Sequence, residues 1–392
     1  MSAVHQISGN QITLLQSGTE FFPQLCADID AAQNSIYLET YIFAADRTGR
    51  MVADALQRAA ARGVAVRVLL DGFGSADLPQ HWVDDMRTAE VDVRWFRREI
   101  SPFTLRRNRH RRLRRMHRKM AVMDGGVAFV GGINIIDDIP AHTALSAPQL
   151  DYAVRVKGLA AGEIHAAMRR LWSVVSWANF RRRGKRIKLL MAGEQRPSTS
   201  PGITFLLRDN VRHRHDIERA YLNAIEAARH EIIIANAYFL PGRGFRLALV
   251  QAAQRGVRVA LLLQGRVEFW IQHYATHALY GELLGAGVEI YEYQPSYLHA
   301  KVAVVDGQWA TVGSSNIDPF SLLLAREGNL AVQQAGFAGE LRASLLAAIA
   351  RDAVRVGVGD GLTLNWLDKL AARISYWIVR LLIGLLGRGN SI

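Results

Sequence analysis

The chain has 392 residues, half of them hydrophobic, with a formal net charge of +13 and a sequence pI of about 10.2. That length exceeds an ordinary single domain and that apolar fraction supplies sizeable cores, so two lobes are expected. A single cysteine, Cys26, excludes an intramolecular disulfide and suits a protein facing the cytosol. The charge asks for an anionic partner: nucleic acid, an anionic membrane surface or a phosphate substrate.

The N-terminal stretch MSAVHQISGNQITLL has no basic region followed by an apolar core, so no signal peptide is expected. Spacing predicts a helix from Phe21 to Ala32, a strand from Ser35 to Phe43, and a helix from about Gly49 to Arg62 that Gly63 ends. Val64 to Leu70 is a nearly continuous apolar run ending at Asp71, the mark of a strand buried on both faces. A basic run from Arg106 to Arg115 then leads into His117; nine of the fourteen residues from Arg106 to Lys119 are Arg or Lys, dense even for a solvated face. Residues 117–134 read HRKMAVMDGGVAFVGGIN. This is a strand, a Gly125-Gly126 turn and a second strand, with His117 and Lys119 on one face and Asn134 brought back beside them. Asp151 opens the strand DYAVRV, and residues 181–202, basic and then rich in Pro, Ser and Gly, read as a linker.

The same order then returns. A helix is predicted over Ile217 to Arg229, a strand over Glu231 to Phe239, a helix over Phe245 to Arg255 closed by Gly256, and an apolar strand over Val257 to Leu263. RGVAVRVLLD matches RGVRVALLLQ, and VDVRWF (91–96) matches VEIYEY (288–293). Residues 299–316, HAKVAVVDGQWATVGSSN, place His299, Lys301, Asp306, Gly313, Ser314 and Asn316 at the spacing of the first copy, 182 residues later. Glu327 opens the following strand, EGNLAV. A domain-sized period means two homologous halves and not a solenoid. PGRGF at 241–245 resembles a phosphate loop, but no Walker lysine or nucleotide frame follows it.

An imidazole, an ammonium and an amide on one face make a phosphate site. A phosphodiester has two ends to manage, which is why two histidines are needed: one attacks phosphorus, and the other protonates the leaving alkoxide and then deprotonates the incoming alcohol. Lys119 and Lys301, with Asn134 and Asn316, would clamp the nonbridging oxygens. Two ammonium groups already supply positive charge, so neither a metal nor a cofactor is expected.

With both copies in view, the sequence resembles the phospholipase D superfamily over nearly its whole length to about residue 356. Flanking blocks such as LLDGFGSADL (69–78), RDNVRHRHDIERAYL (208–222) and WATVGSSNIDP (309–319) resemble its bacterial cardiolipin synthases. Many other members have a histidine two residues after the first-half aspartate, where this chain has Asp151-Tyr152-Ala153. The resemblance implies an α/β fold of two homologous lobes, each a mixed sheet between helices, packed as a pseudo-twofold dimer around one site. The lobes would span residues 1–180 and 203–356, with the linker at 181–202 and a C-terminal segment at 357–392.

The resemblance implies a catalytic set of His117, Lys119 and Asp124 with His299, Lys301 and Asp306. Within it the two aspartates are structural, and the carboxylates that orient the imidazoles are Asp151 and Glu327, with Glu327 expected beside His299. Ser314 matches a family serine and is expected to touch phosphate or simply to end a strand; its counterpart is Gly132. Glu39 and Asn236 are read as occupying like positions, as are Tyr41 and Tyr238, with core packing favoured for the tyrosines. The near-symmetric motifs leave the order of the histidines open. The habit of two-motif relatives, and the arginines before His117, point to His117 as nucleophile and His299 as general acid and base.

The implied activity is transfer of a phosphatidyl group from one phosphatidylglycerol to another through a phosphohistidine, releasing glycerol. The alternative is a superfamily phosphodiesterase or nuclease acting on phospholipid or DNA. Lipid headgroups suit the basic run better than nucleic acid does, since the run lacks interleaved aromatics for base stacking. In the C-terminal segment Asn365, Lys369, Arg373 and Arg380 share one helical stripe, and Trp366, Leu370, Trp377 and Leu381 lie opposite. That reads as an in-plane amphipathic helix. A transmembrane span would hold Arg373 and Arg380 in mid-bilayer at about 3 kcal/mol each, and packing on the core is the remaining alternative. The expected location is peripheral, on the cytoplasmic face of the bacterial inner membrane.

Overall fold

A computed structural model describes residues 2–98, 115–139, 145, 147–181, 200–209, 212–267, 270–318, 321 and 325–357. The basic run up to residue 114, most of the linker and the C-terminal amphipathic segment lie outside the described residues.

The first lobe is built on β1 (Val4–Ile7), β2 (Asn10–Gln16), α1 (Ser17–Ala31), β3 (Ser35–Thr40), α2 (Arg47–Ala61), β4 (Ala65–Asp71), α3 (Gln80–Thr88), β5 (Asp92–Phe96), β6 (Lys119–Met123), β7 (Val127–Gly131), β8 (Tyr152–Lys157) and α4 (Leu159–Arg181). Its strands form one sheet in the order β1-β2-β8-β7-β6-β3-β4-β5. The second lobe comprises β9 (Ile203–Arg208), α5 (Asp216–Ala227), β10 (Glu231–Asn236), α6 (Arg243–Gln254), β11 (Arg258–Gln264), α7 (Trp270–His277), α8 (Tyr280–Gly285), β12 (Glu289–Tyr293), β13 (Lys301–Val305), β14 (Trp309–Gly313), β15 (Glu327–Gln333), α9 (Ala335–Asp352) and β16 (Ala353–Arg355). Its order is β16-β12-β11-β10-β13-β14-β15-β9. Both sheets are mixed. The βαβ units β3-α2-β4 and β10-α6-β11 pair in parallel, whereas the motif hairpins β6-β7 and β13-β14 pair antiparallel.

The apolar runs are continuous because each sheet is covered on both sides. In the first lobe, Leu38, Val68 and Met123 face Phe22, Leu56 and Val83 from the helices, while Met120, Val122 and Val130 face Ile164 and Met168 of α4. A central core then joins the lobes: Ile12, Val154 and Val156 of the first sheet pack with Val302, Val312 and Leu330 of the second, and with Phe337, Leu341 and Leu345 of α9. Burying three such α9 side chains stabilises the junction by about 1.5–3 kcal/mol each. Among the described residues no helix is long and apolar enough to cross a membrane.

Candidate active site

Each motif histidine stands just before a strand, and three sets of contacts fix its backbone. The segment around His117 bridges to the other lobe: Met116 lies beside Arg326, the His117 amide donates to Arg326 O at 2.9 Å, and the Arg326 amide donates to Arg115 O at 2.8 Å. The second copy mirrors this. Leu298 lies beside Leu150, the His299 amide donates to Leu150 O at 2.9 Å, and the Leu150 amide donates to Tyr297 O at 3.1 Å. Arg326 and Leu150 immediately precede Glu327 and Asp151, so each histidine is set beside a carboxylate of the opposite lobe.

The side chains follow. His117 Nδ1 lies 3.1 and 3.2 Å from the two oxygens of Glu327, and 3.2 Å from Ser314 O. His299 Nδ1 lies 2.6 Å from Asp151 Oδ2. This corrects the expected pairing of His299 with Glu327: the acids are exchanged between lobes. With Nδ1 donating to a carboxylate, each Nε2 is left with its lone pair, which is the tautomer a nucleophile or proton acceptor needs.

Lys119 Nζ donates to His117 O at 2.8 Å, and Lys301 Nζ donates to His299 O. Both lysines are buried. Burial is the main cause that lowers Lys119 to about 7; Glu327 opposes it and Lys301 adds to it. Burial likewise lowers His117 below its ordinary value, against the raising effect of Glu327. It lowers His299 to about 4, with Lys301 adding to the effect and Asp151 opposing it. Each lysine also bears on the other lobe's histidine, as expected of one shared cluster. Among the described residues, burial and the two lysines lower His117; the arginines from 106 to 114 lie outside the described residues.

Asn134 and Asn316 are both buried near the ends of the hairpins. Asn134 Oδ1 accepts from the Ile42 amide at 3.2 Å, and Asn316 Oδ1 has no hydrogen-bond partner among the described residues.

Asp124 and Asp306 stand apart from the histidines. Five residues of strand separate each from its lysine, about 16 Å at the rise of a β-strand. Asp124 accepts from the amides of Gln33, Asn34 and Ser35, and Asp306 from those of Arg229, His230 and Glu231, all at 2.8 Å. Both have φ near +50°, a region an aspartate tolerates in tight turns. They tie the hairpin turn to the helix–strand junction and touch no reacting group.

Ser314 directly follows β14, the strand-end position expected for it, and makes a contact the sequence did not announce. Its hydroxyl is fully buried and donates to Glu327 Oε2 at 2.6 Å, while accepting from the Gly328 amide at 3.1 Å. It therefore holds the carboxylate that holds His117. Gly132 takes its place in the first copy because a Cβ there would come within 2.3 Å of Asp151 Oδ1. The shorter acid sits where the serine would be.

Register corrects two further readings. Asn236 pairs with Lys301 and Glu39 with Met120, one residue past Lys119, so Glu39 and Asn236 occupy opposite faces. Glu39 turns away from the cleft into a buried ion pair with Arg118 at 2.7 Å. Tyr41 is not core: its ring meets His117 edge-on at 4.8 Å and Lys119 at 5.2 Å, and burial raises its hydroxyl to about 12.

Sequence reasoning missed Asp71 and Gln264. Asp71 accepts from the amide of Met116 at 2.8 Å, and Gln264 from that of Leu298 at 3.1 Å, so both anchor the residue before a motif histidine. The matched decapeptides RGVAVRVLLD and RGVRVALLLQ end on these two positions, and that coincidence was the signal available.

Known proteins resemble the chain over most of its length. The family described as "Cardiolipin synthase, PLD-like domain" matches residues 25–140 and 221–348. The chain is similar to Cardiolipin synthase B of Escherichia coli, 40% identical over 358 residues that cover 89% of this chain and 82% of that one. It is similar to Cardiolipin synthase B of Salmonella typhimurium, 39% identical over 381 residues covering 97% and 90%. Among solved structures, phosphatidylserine synthase of Haemophilus influenzae matches with a TM-score of 0.67 at 14% identity, covering 98% of this chain and 96% of that one. Polyphosphate kinase of Porphyromonas gingivalis matches with a TM-score of 0.59 at 14% identity, covering 96% and 53%. These two show the fold alone. Family, relatives and fold converge: the chain belongs to the PLD-like cardiolipin synthase family and is an enzyme of that phosphatidyltransferase type.

Proposed function

We propose that the enzyme makes cardiolipin by moving a phosphatidyl group from one phosphatidylglycerol to the hydroxyl of a second, in two displacements at one site. In the first, His117 Nε2 attacks phosphorus, the bond from phosphorus to the glycerol oxygen breaks, and His299 gives its proton to that oxygen. In the second, His299 Nε2 takes the proton of the incoming hydroxyl, its oxygen attacks phosphorus, and the phosphorus–nitrogen bond breaks. The similarity to Cardiolipin synthase B supports the substrate class. One observation carries the chemistry: two imidazoles, each with Nδ1 held by a carboxylate, beside two buried lysines.

The asymmetry of the two pairs supports the assignment of roles. Asp151 meets His299 in a single 2.6 Å bond, whereas Glu327 divides its contact with His117 at 3.1 and 3.2 Å and is shared with Ser314. A short charge-assisted bond favours the imidazolium, and a bound phosphodiester anion would add to it, raising His299 from its low value in the empty cleft. The lysines hold the nonbridging oxygens and neutralise charge that grows in each transition state. Docking is proposed to be peripheral on an anionic membrane, supported by the net charge of +13 and the apolar C-terminal stripe.

The test is product identification. The purified protein, with chelator present, is incubated with phosphatidylglycerol vesicles and separately with DNA. Cardiolipin plus glycerol is expected. Phosphatidic acid alone would make it a hydrolase, and nicked DNA a nuclease.

A further inference from the structure

Two loops rim the cleft, one from each lobe, and neither has a role in the chemistry above. Each follows a strand whose last residue holds the neighbour of a motif histidine: Asp71 ends β4 and Gln264 ends β11. The loops start alike. The Gly72 amide donates to Phe96 O at 2.9 Å, and the Gly265 amide donates to Tyr293 O at 3.2 Å. Gly74 lies against Tyr41, whose ring meets His117; a Cβ at Gly74 would come within 2.4 Å of Tyr41 O. The two loops therefore flank the histidine pair from opposite lobes.

Both loops present a large aromatic ring to solvent. Phe73 is 57% exposed, and Trp270, which opens α7 a few residues past Gln264, is 60% exposed. No other phenylalanine or tryptophan among the described side chains is exposed. Val267, in the same loop as Trp270, is exposed as well. A lone exposed apolar residue is ordinary, but placing both exposed rings at the rim of one site marks an interaction surface. Cations are set among them. Arg115 lays its guanidinium 4.7 Å from the Phe73 ring. Arg97 and Arg98 follow β5 in exposed positions against Gly72, and Arg266 is exposed next to Val267. Asp77 is the exposed acid of the first loop.

We propose that this rim is the membrane-docking face, with Phe73 and Trp270 entering the headgroup layer of an anionic bilayer on either side of the cleft. The inference rests on the reading above that the substrate is a phospholipid. Aromatic rings interleaved with arginines match the two sides of that layer. The rings suit the boundary with the acyl chains, and the guanidinium groups suit the lipid phosphates. Docked in this way, the cleft opens onto the bilayer. A headgroup then reaches His117 and His299 while its acyl chains stay in the lipid.

Local labels test the face in the full chain. Phe73→Cys, Trp270→Cys and, as a control, Leu159→Cys are each made in a Cys26→Ser background and labelled with a polarity-sensitive fluorophore. Leu159 is exposed at the far end of the first sheet, where the Gly158 amide donates to Gly126 O at 3.1 Å. With mixed phosphatidylglycerol and phosphatidylcholine vesicles, emission should shift to the blue at 73 and 270, be quenched there by brominated acyl chains, and stay unchanged at 159. No shift at 73 and 270 would overturn the face. So would a shift that needs no vesicles and grows with protein concentration, which would make the rim a contact between copies. An equal shift on phosphatidylcholine alone would overturn the anionic partner. Turnover gives a second readout. The double variant Phe73→Ala, Trp270→Ala should lose about tenfold in kcat/KM on phosphatidylglycerol vesicles. It should stay within about twofold on monomeric dibutanoyl phosphatidylglycerol. Equal losses on both substrates would mean a merely structural role and overturn the proposal. The labels report without turnover, so their response in an enzyme that forms no cardiolipin would overturn the transferase reading and leave the face standing.

Discussion

Lys119 shows what the empty cleft asks of a single residue. Burying an ammonium removes its hydration, and the pKa falls to about 7 although Glu327 is near. Productive binding needs Lys119 charged and His117 neutral. His117 is neutral above its lowered pKa, so an acid limb belongs below the ordinary 6.5. Lys119 loses its proton as pH rises through about 7, so an alkaline limb belongs there. Because kcat/KM reports the free enzyme, where His299, the acid of the first displacement, is lowered to about 4 and Lys119 to about 7, its profile should already be falling at neutral pH and fall more steeply above it, while kcat, reporting the phosphate-bound enzyme, should hold to higher pH. Initial rates from pH 5 to 9 check this; a kcat/KM flat to pH 9 would contradict the depressed lysine. The duplicated spacing made every motif residue legible in the sequence. Which acid meets which histidine was not, because Asp151 and Glu327 each follow their own motif and the exchange arises only when the lobes pack. Ser314 was legible as the residue that ends a strand, but a serine after glycine does not tell whether its hydroxyl faces phosphate or carboxylate.

At the scale of elements, β6 and β13 are near copies whose reverse faces differ. Arg118 and Glu39 form a buried ion pair on the first lobe's side. The residue between His299 and Lys301 is Ala300, and Ala235, which pairs with Val302, stands where Glu39 pairs with Met120. Burial raises the Glu39 pKa, and Arg118 opposes that rise. Removing one partner strands the other. Arg118→Met should cost about 3–5 kcal/mol, and adding Glu39→Leu should return most of it. Urea unfolding of the two singles and the double would measure the cycle; additive losses would show that the ions do not depend on each other. Element types were legible because apolar runs of strand length alternated with helical spacing, and the glycines at 63 and 256 ended α2 and α6 as expected. The strands from Ser35 and Glu231 stop at Thr40 and Asn236, short of Phe43 and Phe239. Past Thr40 the Ile42 amide donates to Asn134 Oδ1 and not to a neighbouring strand, and at the end of β10 Asn236 Oδ1 accepts from the Ile317 amide.

For the molecule as a whole, the shared core and the exchanged acids make the lobes one unit: neither lobe alone completes a histidine–carboxylate pair. Membrane docking was legible only as composition and as an amphipathic C-terminal stripe. A chain ending near Gly361 should keep its cooperative melt by circular dichroism and lose most of its sedimentation with anionic vesicles. Unchanged sedimentation would remove the docking role, and loss of the melt would mean that the segment packs on the core. The central claim is a covalent phosphohistidine at His117 with His299 as acid and base. Intact-mass and peptide mapping of His299→Ala and His117→Ala, after reaction with a phosphatidyl donor carrying a good leaving group, tests it most directly. Such a leaving group needs no proton, so His299→Ala should accumulate an adduct on His117 and His117→Ala should accumulate none. An adduct on His299 in the His117→Ala enzyme, with none on His117, would contradict the account.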